Sequence, residues 1–331
     1  MNTIGVSVIV PAYNSSATIR RTLEALSKQN CSQSFEVIVV DDGSIDATAD
    51  IVRSFASVKY IFQDNDGPAA ARNLGAKLAQ GGYLAFTDSD CIPHEDWLSQ
   101  LVTGFEQYPK VGVVAGSYGI ANPQNLLARC IYKEIIWRHT HLMPDFPNAF
   151  GSYNFCVKKN IFDAVGGFNT SYRRASGEDN DLSYKIIGSG SRIYFERKAL
   201  VDHYHPTDIV KYLKEQFYHG FWRVKMYKDH PHMMRGDGYT FWKDMVEIPW
   251  AMSFLGGIVL SIFHFFNLNN MFIFNLFLFF AFEILGALIM THCFFEGIFF
   301  GFVHLLRAFA RMLGFLTGFL SALTHPIHSK T

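Results

Sequence analysis

Two short acidic clusters stand where chemistry can be done. Asp41 and Asp42 close the apolar run Phe35 to Val40 and lead into Gly43 and Ser44, while Asp88, Ser89 and Asp90 follow the run Tyr83 to Phe86. Adjacent carboxylates at the carboxyl end of a strand can accept hydrogen bonds from a nucleobase N–H and a ribose hydroxyl. The same residue types also cap helices and build tight turns. Two carboxylates one residue apart can point into one pocket, where oxygen ligands suit a hard divalent cation such as Mn²⁺ or Mg²⁺. Either cluster alone is what a solvated loop would carry; both on strands of one sheet is a stronger pattern.

The elements needed to position them are legible. Runs rich in Val and Ile at Val6 to Val10, Phe35 to Val40, Val58 to Phe62 and Tyr83 to Phe86 alternate with helical-period segments, which predicts an α/β sheet with parallel strands. Helix starts are signalled by Ser15 or Ser16, by Ser44 with Asp46, and by Gly67-Pro68. Ligands of open α/β sheets sit beyond the carboxyl ends of the strands, and both acidic clusters fall at that edge.

Composition narrows the class. The 331 residues carry 29 basic and 29 acidic side chains, a net charge of zero that advertises no surface for nucleic acid. Only Glu247, Glu283, Glu296, Arg307, Arg311 and Lys330 are charged from position 247 onward, so a polar region precedes a greasy one. The five cysteines are scattered without CxxC spacing, which suggests neither a disulfide framework nor a zinc site and fits a reducing, cytosolic setting. The N-terminus reaches strand-like sequence within a few residues, without the progression of a cleaved signal peptide.

Ile248 to Phe282 is 35 residues without a charge, interrupted at Asn267 to Asn270. It predicts two membrane helices, 248–266 and 271–291, with a further helix at 301–323 that suits either the interface or a third span. The expected segments are therefore 1–110, with the strand-end acids; 111–240, the half that receives a second substrate; and 241–331, membrane-associated. The expected location is the cell membrane, multi-pass, with the catalytic part cytoplasmic.

Four stretches resemble family 2 glycosyltransferases of the GT-A fold in order and spacing: Val6 to Asn14, Val39 to Ser44, Gly67 to Gly75 and Thr87 to Asp90. The resemblance covers about Val6 to His230 and implies a Rossmann-like mixed sheet flanked by helices, here followed by C-terminal hydrophobic helices. It also implies a nucleotide-diphosphate sugar donor, with a UDP-sugar favoured, a divalent metal and inversion at the anomeric carbon. Carried over position by position, Pro11, Tyr13, Asp41 and Asp42 surround the nucleoside, Arg72 and Asn73 contact base and diphosphate, Asp88 and Ser89 face the donor, and Asp90 holds the metal.

Gly177 to Leu182 resembles the family's segment that supplies the catalytic base, which makes Asp179 the first candidate and Glu178 its rival. An acidic helix start favoured by the macrodipole is the plainer account of the same residues. His203, or else His205, matches a metal-ligating histidine. Asn154 and Gly167 match positions on the acceptor side, and Trp222 can line an acceptor groove or simply pack a helix. The Gln-x-x-Arg-Trp segment of processive members is missing, since Gln216 is followed by Phe217, Tyr218, His219 and Gly220. Single transfer to a glycan or lipid-linked acceptor hydroxyl is therefore expected, with transfer to a polyprenyl phosphate and a nucleotide-binding membrane scaffold without turnover as alternatives. Nucleotidyl transfer would need a Gly-rich loop after the first strand, and Pro11 to Ser16 contains no glycine.

Overall fold

The computed structural model describes residues 4–172, 176–231, 242–262 and 269–324. It divides into two compact units, Met1–Ala121 with Met143–Tyr204, and Asn122–Leu142 with His205–Thr331. These units cut across the segments 1–110, 111–240 and 241–331, because the helix after the sixth strand packs with the C-terminal helices.

The first unit is built on an eight-stranded sheet in the order β3-β2-β1-β4-β7-β6-β8-β5. Its first half comprises β1 (Val6–Ala12), β2 (Phe35–Asp41), β3 (Val58–Phe62) and β4 (Tyr83–Thr87), all parallel. Val8, Val10, Ile38, Val39 and Phe86 are fully buried, as expected of strands covered on both faces. The second half is mixed. β7 (Asn154–Lys158) lies antiparallel to β4 and to β6 (Val111–Ile120), and β8 (Arg192–His203) runs parallel to β6 and pairs antiparallel with the short β5 (Cys91–Pro93).

Helices α1 (Ile19–Leu26), α2 (Thr48–Arg53), α3 (Pro68–Leu78), α4 (Trp97–Gln107), α6 (Lys159–Ala164) and α7 (Glu178–Gly188) complete this unit; α5 (Leu126–His141) belongs to the second. Helix α3 starts as expected, with Gly67 at φ 94° and Pro68 in the first turn. Gly75 on α3 faces β1, and a Cβ there would lie 2.5 Å from Ile9 Cγ2, so only glycine allows this approach. Helix α1 begins at Ile19, later than Ser15 or Ser16 suggested: the Ser15 hydroxyl is engaged with Ser89 Oγ at 2.7 Å and caps nothing.

The second unit is helical, with α5 joined by α8 (Ile209–Asp229), α9 (Trp242–Ile262), α10 (Asn269–Thr291) and α11 (Phe294–Thr324). Among the described residues two helical stretches are long and apolar enough to cross a membrane, Ile273–Thr291 and Phe294–Thr324. The expected helix 248–266 falls on α9, and its last residues lie outside those described. α11 starts at Phe294, ahead of the expected 301.

Three charges of the apolar tail, Glu247, Glu283 and Arg307, are buried together in this unit. Arg307 Nη1 donates to Glu134 Oε2 at 2.8 Å and Nη2 to Glu247 Oε1 at 3.0 Å. Arg138 bonds Glu134 at 2.7 Å and Asp244 at 2.6 Å, and Lys243 bonds Glu247 and Glu283. Buried charges persist only when paired in this way.

Candidate active site

The acids at the end of β2 are buried and largely occupied by their own loop. Asp41 Oδ1 accepts the Ser44 N–H at 2.9 Å and Oδ2 the Tyr60 hydroxyl at 2.8 Å, which pushes that phenol up to about 12 through burial and the adjoining carboxylate. Asp42 Oδ1 accepts from Gln63 Nε2 at 2.6 Å and from Asp66 N at 2.9 Å, and its Oδ2 accepts from Gly67 N at 3.0 Å. The Asp42 bonds fasten the loop from β3 into α3 to the end of β2. Pro11 is buried within β1, and Tyr13, half-exposed at the end of the same strand, is the candidate nucleoside residue that offers the most surface.

The centre of the site is Arg72. It leaves α3 as a buried guanidinium whose Nη2 donates to Asp88 Oδ1 at 2.8 Å and whose Nη1 donates to Glu178 Oε1 at 3.1 Å. One side chain thus ties the end of β4 to the start of α7. Among the described residues its Nε has no hydrogen-bond partner, and its face lies 5.5 Å from the Phe168 ring. Glu178 is occupied at both oxygens, since Oε2 accepts the Ser176 N–H at 2.7 Å.

Asp179 is half-buried, with Oδ1 accepting the Asn180 N–H at 2.8 Å. Burial first, and then the Asp179 charge, push Glu178 up to about 7 against the pull of Arg72. Burial likewise raises Asp179. Glu178 is thus poised to hold a proton near neutrality, beside an Asp179 carboxylate that can accept one. Gly151 keeps the approach open: a Cβ there would lie 3.4 Å from Asp179 Oδ2 and 2.5 Å from the Tyr153 ring.

The register of β5 on β8 sets Cys91 opposite His203. This brings His203 Nε2 within 3.5 Å of Asp90 Oδ1, and Asp90, Cys91 and His203 offer ligand atoms all within 4.8 Å of one another. A carboxylate oxygen and an imidazole nitrogen fit Mn²⁺ or Mg²⁺. Cys91 is fully buried, and burial followed by the charge of Asp90 raises its thiol well above the ordinary value, so it does not offer the thiolate a soft-metal site needs. The Tyr118 ring lies 5.3 Å from His203 and stacks on Tyr153 at 3.6 Å, walling this end of the site.

The other sequence candidates are distributed unevenly. His205 falls in the second unit, where its N–H is accepted by Asn122 Oδ1 at 3.1 Å, so of the two histidines His203 is the one set beside Asp90. Ser89 bridges to Ser15, and its carbonyl accepts from Thr22 Oγ1 at 3.0 Å. Asn73 clasps the Phe168 backbone, donating at 2.8 Å and accepting at 2.9 Å, and Gly167 takes the φ of 67° that this clasp requires. Asn154 is in the core: its oxygen accepts from Trp97 Nε1 at 2.8 Å and its amide donates to the Ala199 and Ser117 carbonyls, leaving no group for an acceptor sugar. Trp222 lies on α8 in the second unit. Sequence reasoning missed Gly151, Tyr118, Tyr153 and Cys91: pairing with β8 places Cys91 and Tyr118, and the loop before β7 supplies Gly151 and Tyr153.

A curled mixed sheet with strand-end acids, a buried cation and an acidic helix start defines the GT-A class of fold. The sequence profile of glycosyl transferase family 2 matches residues 7–177, and the chain belongs to that family. It is 29% identical over 226 residues to the validoxylamine A glucosyltransferase of Streptomyces hygroscopicus subsp. jinggangensis, covering 58% of this chain and 54% of that protein. It is 31% identical over 241 residues to the pre-mycofactocin glycosyltransferase of Mycobacterium tuberculosis, covering 68% of this chain and 48% of that one. The chain thus spans about half the length of these curated relatives. The mannosyltransferase PcManGT of Pyrobaculum calidifontis, solved with GDP-Man and Mn²⁺, shares the fold with a TM-score of 0.51 at 22% identity, over 66% of this chain and 64% of that one.

Proposed function

We propose that this chain is an inverting, metal-dependent glycosyltransferase that moves a sugar from a nucleotide-diphosphate donor, favouring a UDP-sugar, to an acceptor hydroxyl in glycan or glycolipid synthesis at the cytoplasmic face of the membrane. The observation that carries the reading is the Arg72 bridge, 2.8 Å from Asp88 and 3.1 Å from Glu178, which gathers donor-side and base-side acids around one site. Asp90 and His203 hold the metal, which when bound neutralises diphosphate charge. Tyr13 lies against the nucleobase, with Asp41, Asp42 and Pro11 shaping that pocket, and Asp88 faces the donor.

Glu178, tied to Arg72 and the Ser176 N–H, is a positioning residue. Asp179 takes the proton from the acceptor hydroxyl as that oxygen bonds the anomeric carbon and the bond from that carbon to the diphosphate oxygen breaks, releasing the nucleoside diphosphate. One displacement inverts the centre and leaves no glycosyl-enzyme.

The apolar helices of the second unit favour one further reading, transfer to a polyprenyl phosphate. A phosphate oxygen is already ionised and needs no base. Nucleoside diphosphate release, measured with Mn²⁺ across donors and acceptors, tests the assignment. Release that depends on acceptor, stops with EDTA and falls in Asp179→Asn supports it. Donor binding without turnover on any acceptor overturns it, and turnover that survives Asp179→Asn points to the phosphate acceptor.

A further inference from the structure

The depth of charges along the helical unit decides how it meets a membrane. α10 and α11 run antiparallel in close contact: a Cβ on Gly301 would lie 2.6 Å from Ile284 Cα, and one on Gly297 3.0 Å from Leu288 Cα. Further along, the Phe279 and Phe309 rings meet at 6.3 Å. α8 runs beside the later part of α11 in the same direction. Gln216 accepts from Arg311 Nε at 2.9 Å, and Gly314 and Gly318 face the carbonyls of Phe217 and Phe221 with no room for a side chain.

The middle of α8 is therefore level with Phe309 to Arg311, and these are level with the middle of α10. Lys211, Lys214 and Glu215 are exposed on α8 at that level. If α10 and α11 stood across a bilayer, these charges would sit near its midplane, where such groups are costly unless they line a polar interior. α8 cannot be left behind, because the glycine contacts lock it to α11.

The opposite character marks the outward faces of α10 and α11. Phe274, Phe277, Leu278, Phe294, Phe295 and Phe302 are all exposed there. At the turn that carries Phe294 and Phe295, Arg129 and Lys133 both bond Glu296, at 3.0 and 2.7 Å, so two cations meet one carboxylate. That excess of positive charge beside exposed aromatic rings complements anionic lipid headgroups.

We infer that the helical unit is a one-sided membrane anchor in which α10 and α11 lie in the plane of an anionic leaflet and neither crosses it. The occupant of the apolar face is the outer part of that leaflet. This deepens the membrane attachment of the proposed function and replaces the expected multi-pass arrangement.

The test uses the full chain added from dilute detergent to preformed vesicles of phosphatidylcholine, with or without phosphatidylglycerol. Co-flotation is expected, several-fold stronger with the anionic lipid, and several-fold weaker in Phe277→Glu with Phe295→Glu. His292→Cys and Thr324→Cys, at the two ends of α11, should both react with a membrane-impermeant maleimide from outside, the labelled peptides being located by mass spectrometry. Phe277→Trp should be quenched more by lipids brominated near the headgroup than near the chain ends.

Protection of Thr324→Cys until the vesicles are permeabilised would mean that α11 spans, and would overturn the inference. So would absence of flotation, or a dimer on size exclusion that never joins vesicles. Nucleoside diphosphate release is read on the same samples. Turnover without flotation sinks only the anchor, and flotation without turnover sinks only the assigned reaction.

Discussion

The two units bury charge in opposite ways. In the sheet unit, Arg72 is enclosed while one of its partners, Asp88, keeps 30% of its side chain exposed, and nearby Asp90 keeps 41%. In the helical unit, Arg307 and its partners Glu134 and Glu247 are all buried, and each carboxylate has a second cation in Arg138 or Lys243. One cluster is open on one side, where an ionic ligand can complete it. The other is closed, and its pairs tie together four helices, α5, α9, α10 and α11. Charge buried for chemistry and charge buried for architecture are thus told apart by exposure of the partner acids.

The comparison is challenged most strongly at the open cluster. Asp179→Asn keeps shape and the Asn180 turn but removes the proposed proton acceptor, so kcat should fall by about 10²–10⁴-fold. Thermal stability and donor binding should stay near the parent values. A loss of stability with activity kept would make Asp179 an architectural acid like those of the helical unit.

The complementary challenge is Arg307→Met. It leaves Glu134 and Glu247 each short of a buried partner, and breaking such a pair costs about 3–5 kcal/mol. The unfolding transition of the helical unit should drop, while nucleotide binding by the sheet unit persists. If donor affinity fell and stability did not, the closed cluster would be a ligand site after all.

How far each cluster could be read from sequence follows the same division. β1 to β4 were legible to within a residue or two, because β1, β2 and β4 are buried and leave uninterrupted apolar runs, while the edge strand β3 still carries Val58, Tyr60, Ile61 and Phe62. The acids at their ends were legible for the same reason: polarity resumes where the sheet edge is reached. The link from Arg72 to Glu178 spans 106 residues, and the pairing that sets His203 beside Asp90 depends on a three-residue strand, so neither leaves a periodic trace. Asn154 and Asn73 show the converse, since an amide at a position that matches the family's acceptor or donor side also serves the backbone: Asn154 bonds two carbonyls in the core, and the partly buried Asn73 clasps Phe168. In the apolar tail, Glu283, Arg307 and Arg311 read as isolated interruptions, because partners such as Glu134 and Gln216 lie far upstream.

A subtler perturbation separates the two adjacent acids. Glu178 stands at about 7, raised by burial and by the Asp179 charge. The Asp179 charge holds that proton in place, so Asp179 ionises first, and replacing Glu178 with Gln takes away the group that titrates near neutrality. The acid limb of the pH profile of kcat/KM should then lose its component near pH 7 and lie lower, with kcat retained within an order of magnitude. A limb that does not move would detach the pair from the rate-determining proton.

The smallest expected effect lies at the turn before α2. Asp46 Oδ1 accepts from Thr48 N at 2.9 Å and Oδ2 from Ser16 N at 3.1 Å. Burial acts to raise its carboxyl, but the bonds from Thr48 and Ser16 prevail and lower it to about 2. A depressed folded-state pKa means that the carboxylate stabilises the fold above the unfolded value near 3.8, and that this contribution fades as pH falls from about 4 towards 2. Asp46→Asn should therefore lower Tm slightly at neutral pH, and the difference should fade as pH falls to about 2 and lose its charge-dependent part only below it, once the folded-state carboxyl is protonated. Because the group is exposed, the difference should be small, and it should leave donor turnover unchanged. Asp46 fixes the loop beside Asn14 and Ser44 without belonging to the open cluster. An Asp46→Asn variant whose turnover fell as far as its stability would show that this loop moves with the donor.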